Sequence, residues 1–225
     1  MTDFVRKTKK RLKELQEKYG NEEVFAVPYQ YTEDIKDGFQ RFITGKAQDV
    51  IRKTMSRGKF LLRAAVEEDM SFQQIIPYVL ICNDDASKFF VTRRIAGEKR
   101  LLGSLSLGIG GHLNPCDKGF MGDGFATFMN GMRREENEET NISEVAIDVH
   151  EPYGTVRDLK SSTPDHVGIV YLHYVYDAAN LDVREKDTLE PLWMTKEELI
   201  KNYEKFESWA QLIIANLVLA KQKTA

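Results

Sequence analysis

Two periods organise the hydrophobic positions of this chain. Runs rich in β-branched and aromatic residues occupy Gln74 to Cys82 and Lys88 to Arg94, and Asn83-Asp84-Asp85 between them predicts a hairpin. Further strands are expected at Val145 to Val149, Val167 to Tyr176 and near Leu192 to Met194. An apolar, serine-bearing stretch from Leu101 to Ile109 closes on a turn carrying Gly108, Gly110 and Gly111. The helical period appears where Phe125, Phe128, Met129 and Met132 recur at i, i+3, i+4 and i+7, the spacing of a buried helix face. Asp123 or Gly124 would cap the start of that helix and Asn141 would end it. Lys196 to Lys221 shows the same period, broken once, with Trp209, Leu212, Ile213 and Leu217 on one face.

The first third of the chain is patterned differently. Asp3 to Tyr19 predicts a charged amphipathic helix ended by Gly20, and Glu22 to Gln30 includes a short strand. Ile35 to Ile43 reads as a helix, and Gln48 to Val66 as another, broken near Gly58. No chemical motif stands out here. Residues 1–68 are therefore expected to form a mainly helical N-terminal extension, and residues 69–225 the principal domain with its C-terminal helix. Strands flanked by helices on both sides give an α/β fold, an α/β/α sandwich around a mixed sheet.

Composition narrows the function classes. The 225 residues suit one domain with an added subdomain. A formal charge of −3 carries no basic signature, which argues against duplex nucleic acid as the partner. Cys82 and Cys116 are too few for a disulfide framework. The charged N-terminus has no secretory core, and the longest apolar run, Trp209 to Ala220, is far short of the ~20 residues that a membrane span requires. A cytoplasmic protein is expected, without a membrane partner and with a homodimer left open.

The chemistry lies in Arg134-Glu135-Glu136-Asn137-Glu138-Glu139. On a helix, Glu135, Glu138 and Glu139 fall within an arc of about 100° and repel one another. A helix that accepts this cost usually holds something positive, and a hard divalent cation with oxygen ligands suits it. The bland alternative is a solvated acidic face. The apolar arc of Phe128 and Met132 adjoins the acids, however, which puts them at the rim of the core.

Arg134 to Ile142 resembles the second half of the Nudix box, G-x5-E-x7-R-E-U-x-E-E-x-G-U with U aliphatic, and Gly110-Gly111 resembles its opening. The likeness runs from about Phe72 to about Leu199 and is nearest to the bacterial MutT-like phosphoesterases. Three departures stand out. Counted back from Arg134, the first glutamate of the box falls at Ala126. Placing the leading glycine at Gly111 instead demands a longer loop, Leu113 to Phe125, which holds no glutamate. Glu136 occupies an aliphatic position, and Asn141 replaces the closing glycine.

The resemblance implies magnesium-dependent hydrolysis of a diphosphate bond in a nucleoside-diphosphate-linked small molecule, with manganese as the alternative ion. Glu138 and Glu139 would be the main metal ligands and Glu135 a further ligand or a base, while Arg134 would hold a carboxylate in place. Gly110 and Gly111 would let the backbone approach phosphate, and Arg94 (or Arg93) and His112 are the side chains expected to touch substrate. Glu190, Glu151 and Asp165 compete for a late acidic role. The missing glutamate keeps a non-hydrolytic nucleotide-binding or regulatory module as the second reading. Cys116 leaves an isopentenyl-diphosphate isomerase as a remote third.

Overall fold

The computed structural model describes residues 3–42, 47–97 and 102–219. In chain order the elements are α1 (Asp3–Tyr19), β1 (Glu23–Pro28), β2 (Gly38–Arg41), α2 (Ala47–Met55), β3 (Lys59–Leu62), α3 (Arg63–Val66), β4 (Phe72–Asn83) and β5 (Lys88–Arg94). There follow β6 (Leu105–Ser106), β7 (Gly108–Gly110), α4 (Gly124–Glu139), β8 (Ile147–Arg157), β9 (His166–Val175), β10 (Leu189–Thr195), α5 (Lys196–Lys201) and α6 (Ser208–Leu219).

One sheet organises them. Its main path runs β10-β5-β4-β9-β8-β2, with β1 and β7 also on β4, β3 on β1 and β6 on β5. The β4–β9 pairing is parallel and the other strand pairings are antiparallel, so the sheet is mixed. Strand β4 is buried along nearly its whole length, which explains its continuous apolar run instead of an alternation. On one face α2 and α4 set Ile51, Met55, Phe128 and Met132 against Ile75, Val79, Ile81 and Ile169. On the other, α5 and α6 set Leu199, Ala210, Ile213 and Ile214 against Tyr78, Leu80 and Val170. This is the expected α/β/α sandwich.

Three expectations change. Ile35 to Ile43 is not a helix: Gly38–Arg41 is β2, paired with Gly154 to Arg157, and Phe39 stacks on Tyr153 with ring centroids 5.7 Å apart. Ile43 lies outside the described residues. Gln48 to Val66 is only partly helical, because Lys59–Leu62 pairs with β1 and Phe60 packs edge-on against Phe25 at 5.3 Å. In both places a strand partner far along the chain overrides local propensity. Thr140, not Asn141, is the C-cap of α4; Asn141 has φ −93°, and its side chain ties down the Asn180–Asp182 segment instead. At the other end, Asp123 is the N-cap and accepts from the Ala126 N–H at 3.1 Å.

Candidate active site

Helix α4 carries the acids as its last turn approaches the sheet. Phe128 and Met132 are 0 and 1% exposed, and they press the helix against β4 and β9. That anchoring points its remaining faces toward the β7 turn and a loop from Asn114 to Asp123.

Arg134 is the hub. Its Nε and Nη2 grip both oxygens of Asp117 at 2.8 and 2.9 Å, a two-pronged charged contact. Nη1 donates to Glu135 at 2.7 Å and to Glu138 at 2.9 Å, and Nη2 also reaches the His112 carbonyl at 2.9 Å. One guanidinium therefore joins the helix acids, the loop and the residue after the paired glycine. Asp117 first, then Glu135, raise the Arg134 pKa further, with burial opposing.

Asp117 was not singled out in the sequence, and it changes the reading of the motif. It is 3% exposed and is held by the Asn114 N–H at 2.7 Å, while its carbonyl accepts from Asn130. Counted forward from Gly111, position 117 is the place where the box has its first glutamate. The acid there is one methylene shorter, and the loop after it is longer. Counting backward from Arg134 conceals this, because the extra residues lie between Asp117 and the helix.

Gly111 lies against the Glu135 carboxyl group. A Cβ at Gly111 would stand 2.4 Å from the Glu135 carboxyl carbon, and one at Gly110 would stand 2.2 Å from the Pro77 carbonyl oxygen. Backbone therefore shuts out any side chain at Gly110, and one at Gly111 would have to displace the Glu135 carboxylate. Burial raises the Glu135 pKa, with Arg134 opposing.

Glu139 faces an open cavity of about 540 Å³ shared with Gly110, Arg94, Glu185, Lys205 and Glu207. Burial first, then the charges of Glu135, Glu185 and Glu207, push its pKa up to about 7, and Arg94 pulls the other way. Glu138 is different: its side chain is 58% exposed and leans on Arg134 at the rim. Among the described residues no three acidic, histidine or cysteine side chains converge on one point to hold an ion by themselves. One or two carboxylates beside a cavity are nevertheless what magnesium takes, with water and substrate phosphate completing its shell. The all-oxygen donor set and the repulsion stored at Glu139 fit such an ion.

The other expected residues scatter. Arg94 lines the cavity. Arg93 instead pairs with Glu190 across β5 and β10, its Nε 2.6 Å from the carboxylate. The ring of His112 turns onto His166, Nε2 to Nε2 at 3.1 Å, and His166 Nδ1 lies 3.1 Å from Asp165. Burial, then Arg63 and His166, hold the His112 pKa down at about 3. Asp165 also accepts from Gln74 at 2.9 Å, so it belongs to that network. The side chain of Glu151 lies outside the described residues. Cys116 is exposed beside Asp117.

Glu136, at the aliphatic position of the box, is buried against the sheet with its carboxylate 2.9 Å from His173 Nδ1 of β9. Neither atom has a well-formed hydrogen bond there. The departure thus trades an apolar contact between α4 and β9 for a buried polar pair.

No protein-family model matches the chain. Protein YmaB of Bacillus subtilis (strain 168) is 34% identical over 161 residues, covering 68% of this chain and 74% of YmaB. The crystal structure of Tm1382, described as a Nudix hydrolase, superposes with a TM-score of 0.70 at 26% identity, covering 88% of this chain and all of Tm1382 (100%). Such likeness in sequence and in shape, around a helix that carries R-E-x-x-E-E, makes this chain a member of the Nudix hydrolase family.

Proposed function

We propose that this protein hydrolyses a diphosphate bond in a nucleoside-diphosphate-linked or related small molecule, with magnesium or manganese bound at the acids of α4. The observation that carries this reading is Glu139: a carboxylate of the box helix, crowded by other acids, opening on a cavity that also holds Arg94 and Gly110.

Each residue then has a task. Glu139 and Glu138 would hold the ion, with Glu135 close by. When bound, that ion offsets phosphate charge and lowers the pKa of water. Arg94 and Lys205 supply positive charge from the cavity wall for the phosphate oxygens. Gly110 and Gly111 give the substrate backbone amides without a side chain in the way. Arg134, fully engaged by Asp117, Glu135 and Glu138, positions the acids and does not meet substrate. Asp117 weakens the case for a non-hydrolytic module, since the position that lacks the first glutamate of the box carries an aspartate bound to Arg134. Cys116 is not in the cavity lining, which leaves the isomerase reading without a residue to carry it.

The test is a screen of nucleoside di- and triphosphates, sugar nucleotides and dinucleoside polyphosphates with magnesium, reading phosphate and nucleoside monophosphate release. Turnover of one class, abolished by chelator and restored by magnesium, is expected. Tight nucleotide binding with no turnover across the library would turn the assignment to a regulatory module.

A further inference from the structure

Three acids were expected to compete for a role outside the box helix, and the cavity is lined by two others. Glu185 is exposed and is held by a hydrogen bond from Thr188, three residues on in the same turn. Glu207 is built in. Its Oε1 accepts from the Tyr78 hydroxyl at 2.5 Å and lies 2.8 Å from the Ser106 hydroxyl, whose one proton it shares with the Gly108 carbonyl at 2.9 Å. Tyr78 is 4% exposed and is itself braced edge-on by Trp209, with ring centroids 5.6 Å apart. The Glu207 backbone is fixed too, because its N–H donates to Leu105 at 3.1 Å and Phe206 bridges Leu105 in parallel. Two strands and the entry to α6 therefore hold one carboxylate in one orientation. Both of these contacts fall on Oε1, not on Oε2, and Glu207 lines the cavity.

Glu207 and Glu139 line the same cavity, and the Glu207 charge is one of those that raise the Glu139 pKa. A carboxylate held through one oxygen at a cavity wall is pre-oriented to accept a proton on the other. Desolvation at the cavity wall raises the Glu207 pKa, and the two hydroxyls act in the opposite direction.

We infer that Glu207 is the general base of the hydrolysis proposed above, taking a proton on Oε2 from the water that attacks phosphorus. In that step the water O–H bond breaks as its oxygen bonds to phosphorus. The bond from that phosphorus to the bridging oxygen breaks, its electron pair leaving with the second phosphate, and Glu207 later returns the proton to solvent. The inference rests on the hydrolase reading, and the experiment separates the two.

Wild type, Glu139→Gln, Glu207→Gln and Glu207→Ala are assayed together on the best substrate of the screen, with magnesium binding followed by calorimetry. Glu207→Gln is expected to lower kcat by about 10²–10⁴ while KM and magnesium affinity stay near wild type. Added formate is expected to restore part of the Glu207→Ala rate, which a purely structural role would not allow. Unchanged kcat, a raised KM alone, or a loss that formate leaves untouched would overturn the inference while the hydrolase reading stood. Absence of wild-type turnover would overturn both. If the Glu207 variants do not fold, Tyr78→Phe with Ser106→Ala keeps the carboxylate but frees it; kcat should then fall with KM kept, and unchanged kcat would overturn the inference.

Discussion

Arg134 and its four partners show what one residue can organise and what a sequence can tell about it. The acids Glu135, Glu138 and Glu139 were legible because helical spacing alone gathers them. Asp117 was not, because its relation to Arg134 spans 17 positions and passes through a loop of unusual length. Glu207 was hidden for the same reason, as it meets Tyr78 across 129 positions. Asp117→Asn keeps the shape but removes the charge that Arg134 grips. It is expected to cost about 1.5–3 kcal/mol, the range for hydrogen bonds to charged groups, and to weaken magnesium binding. Urea unfolding and calorimetry check both; wild-type values in each would make Asp117 a bystander.

The raised pKa of Glu139 has a definite sign in the metal-free protein. An ordinary glutamate titrates at 4.5, and Glu139 in the fold at about 7. Between those values the folded chain binds more protons than the unfolded one, so this group lowers stability as pH rises through the window. The lowering is complete above it. In chelator, Glu139→Gln should melt above wild type near pH 8, and the gap should close toward about pH 4.5. Equal melting temperatures near pH 8 would mean that Glu139 is not desolvated as described.

Among the elements, α4 announced itself through a regular helical period and the central strands through long apolar, β-branched runs. The short strands β2 and β3 did not, since four residues carry too little pattern and their pairing partners decide them. The seat of α4 on β9 has its own weak point at Glu136 and His173, whose side chains are 5 and 1% exposed. His173→Leu should leave a buried carboxylate alone and cost about 3–5 kcal/mol. Glu136→Leu/His173→Leu together should recover most of that loss by restoring an apolar contact. Urea denaturation of the two variants decides it; a double variant as unstable as the single one would show that the pair holds the helix in a way leucine cannot.

For the whole molecule, sequence patterning separated residues 1–68 from the rest, and the sheet joins them. Strand β1 lies on β4 and β2 on β8, so the first third contributes edges to the sheet that carries the site. Nothing local in those residues signals this, because their partners lie beyond position 70. A chain of residues 69–225 would expose the unpaired backbone groups of β4 and β8 to association. It is expected to be insoluble or to lack cooperative thermal unfolding by circular dichroism. A soluble, cooperatively folded 69–225 would make the first third a separable unit. No helix among the described residues is long and apolar enough to cross a membrane.

The proposed hydrolysis requires the acids on α4 to act at the cavity shared with Arg94 and Gly110. Its most direct test is kcat of wild type and Glu139→Gln on one diphosphate substrate at saturating magnesium. A fall of about 10²–10⁴ in the variant, with its fold retained, is the expected result. Turnover equal to wild type would place the catalytic centre elsewhere.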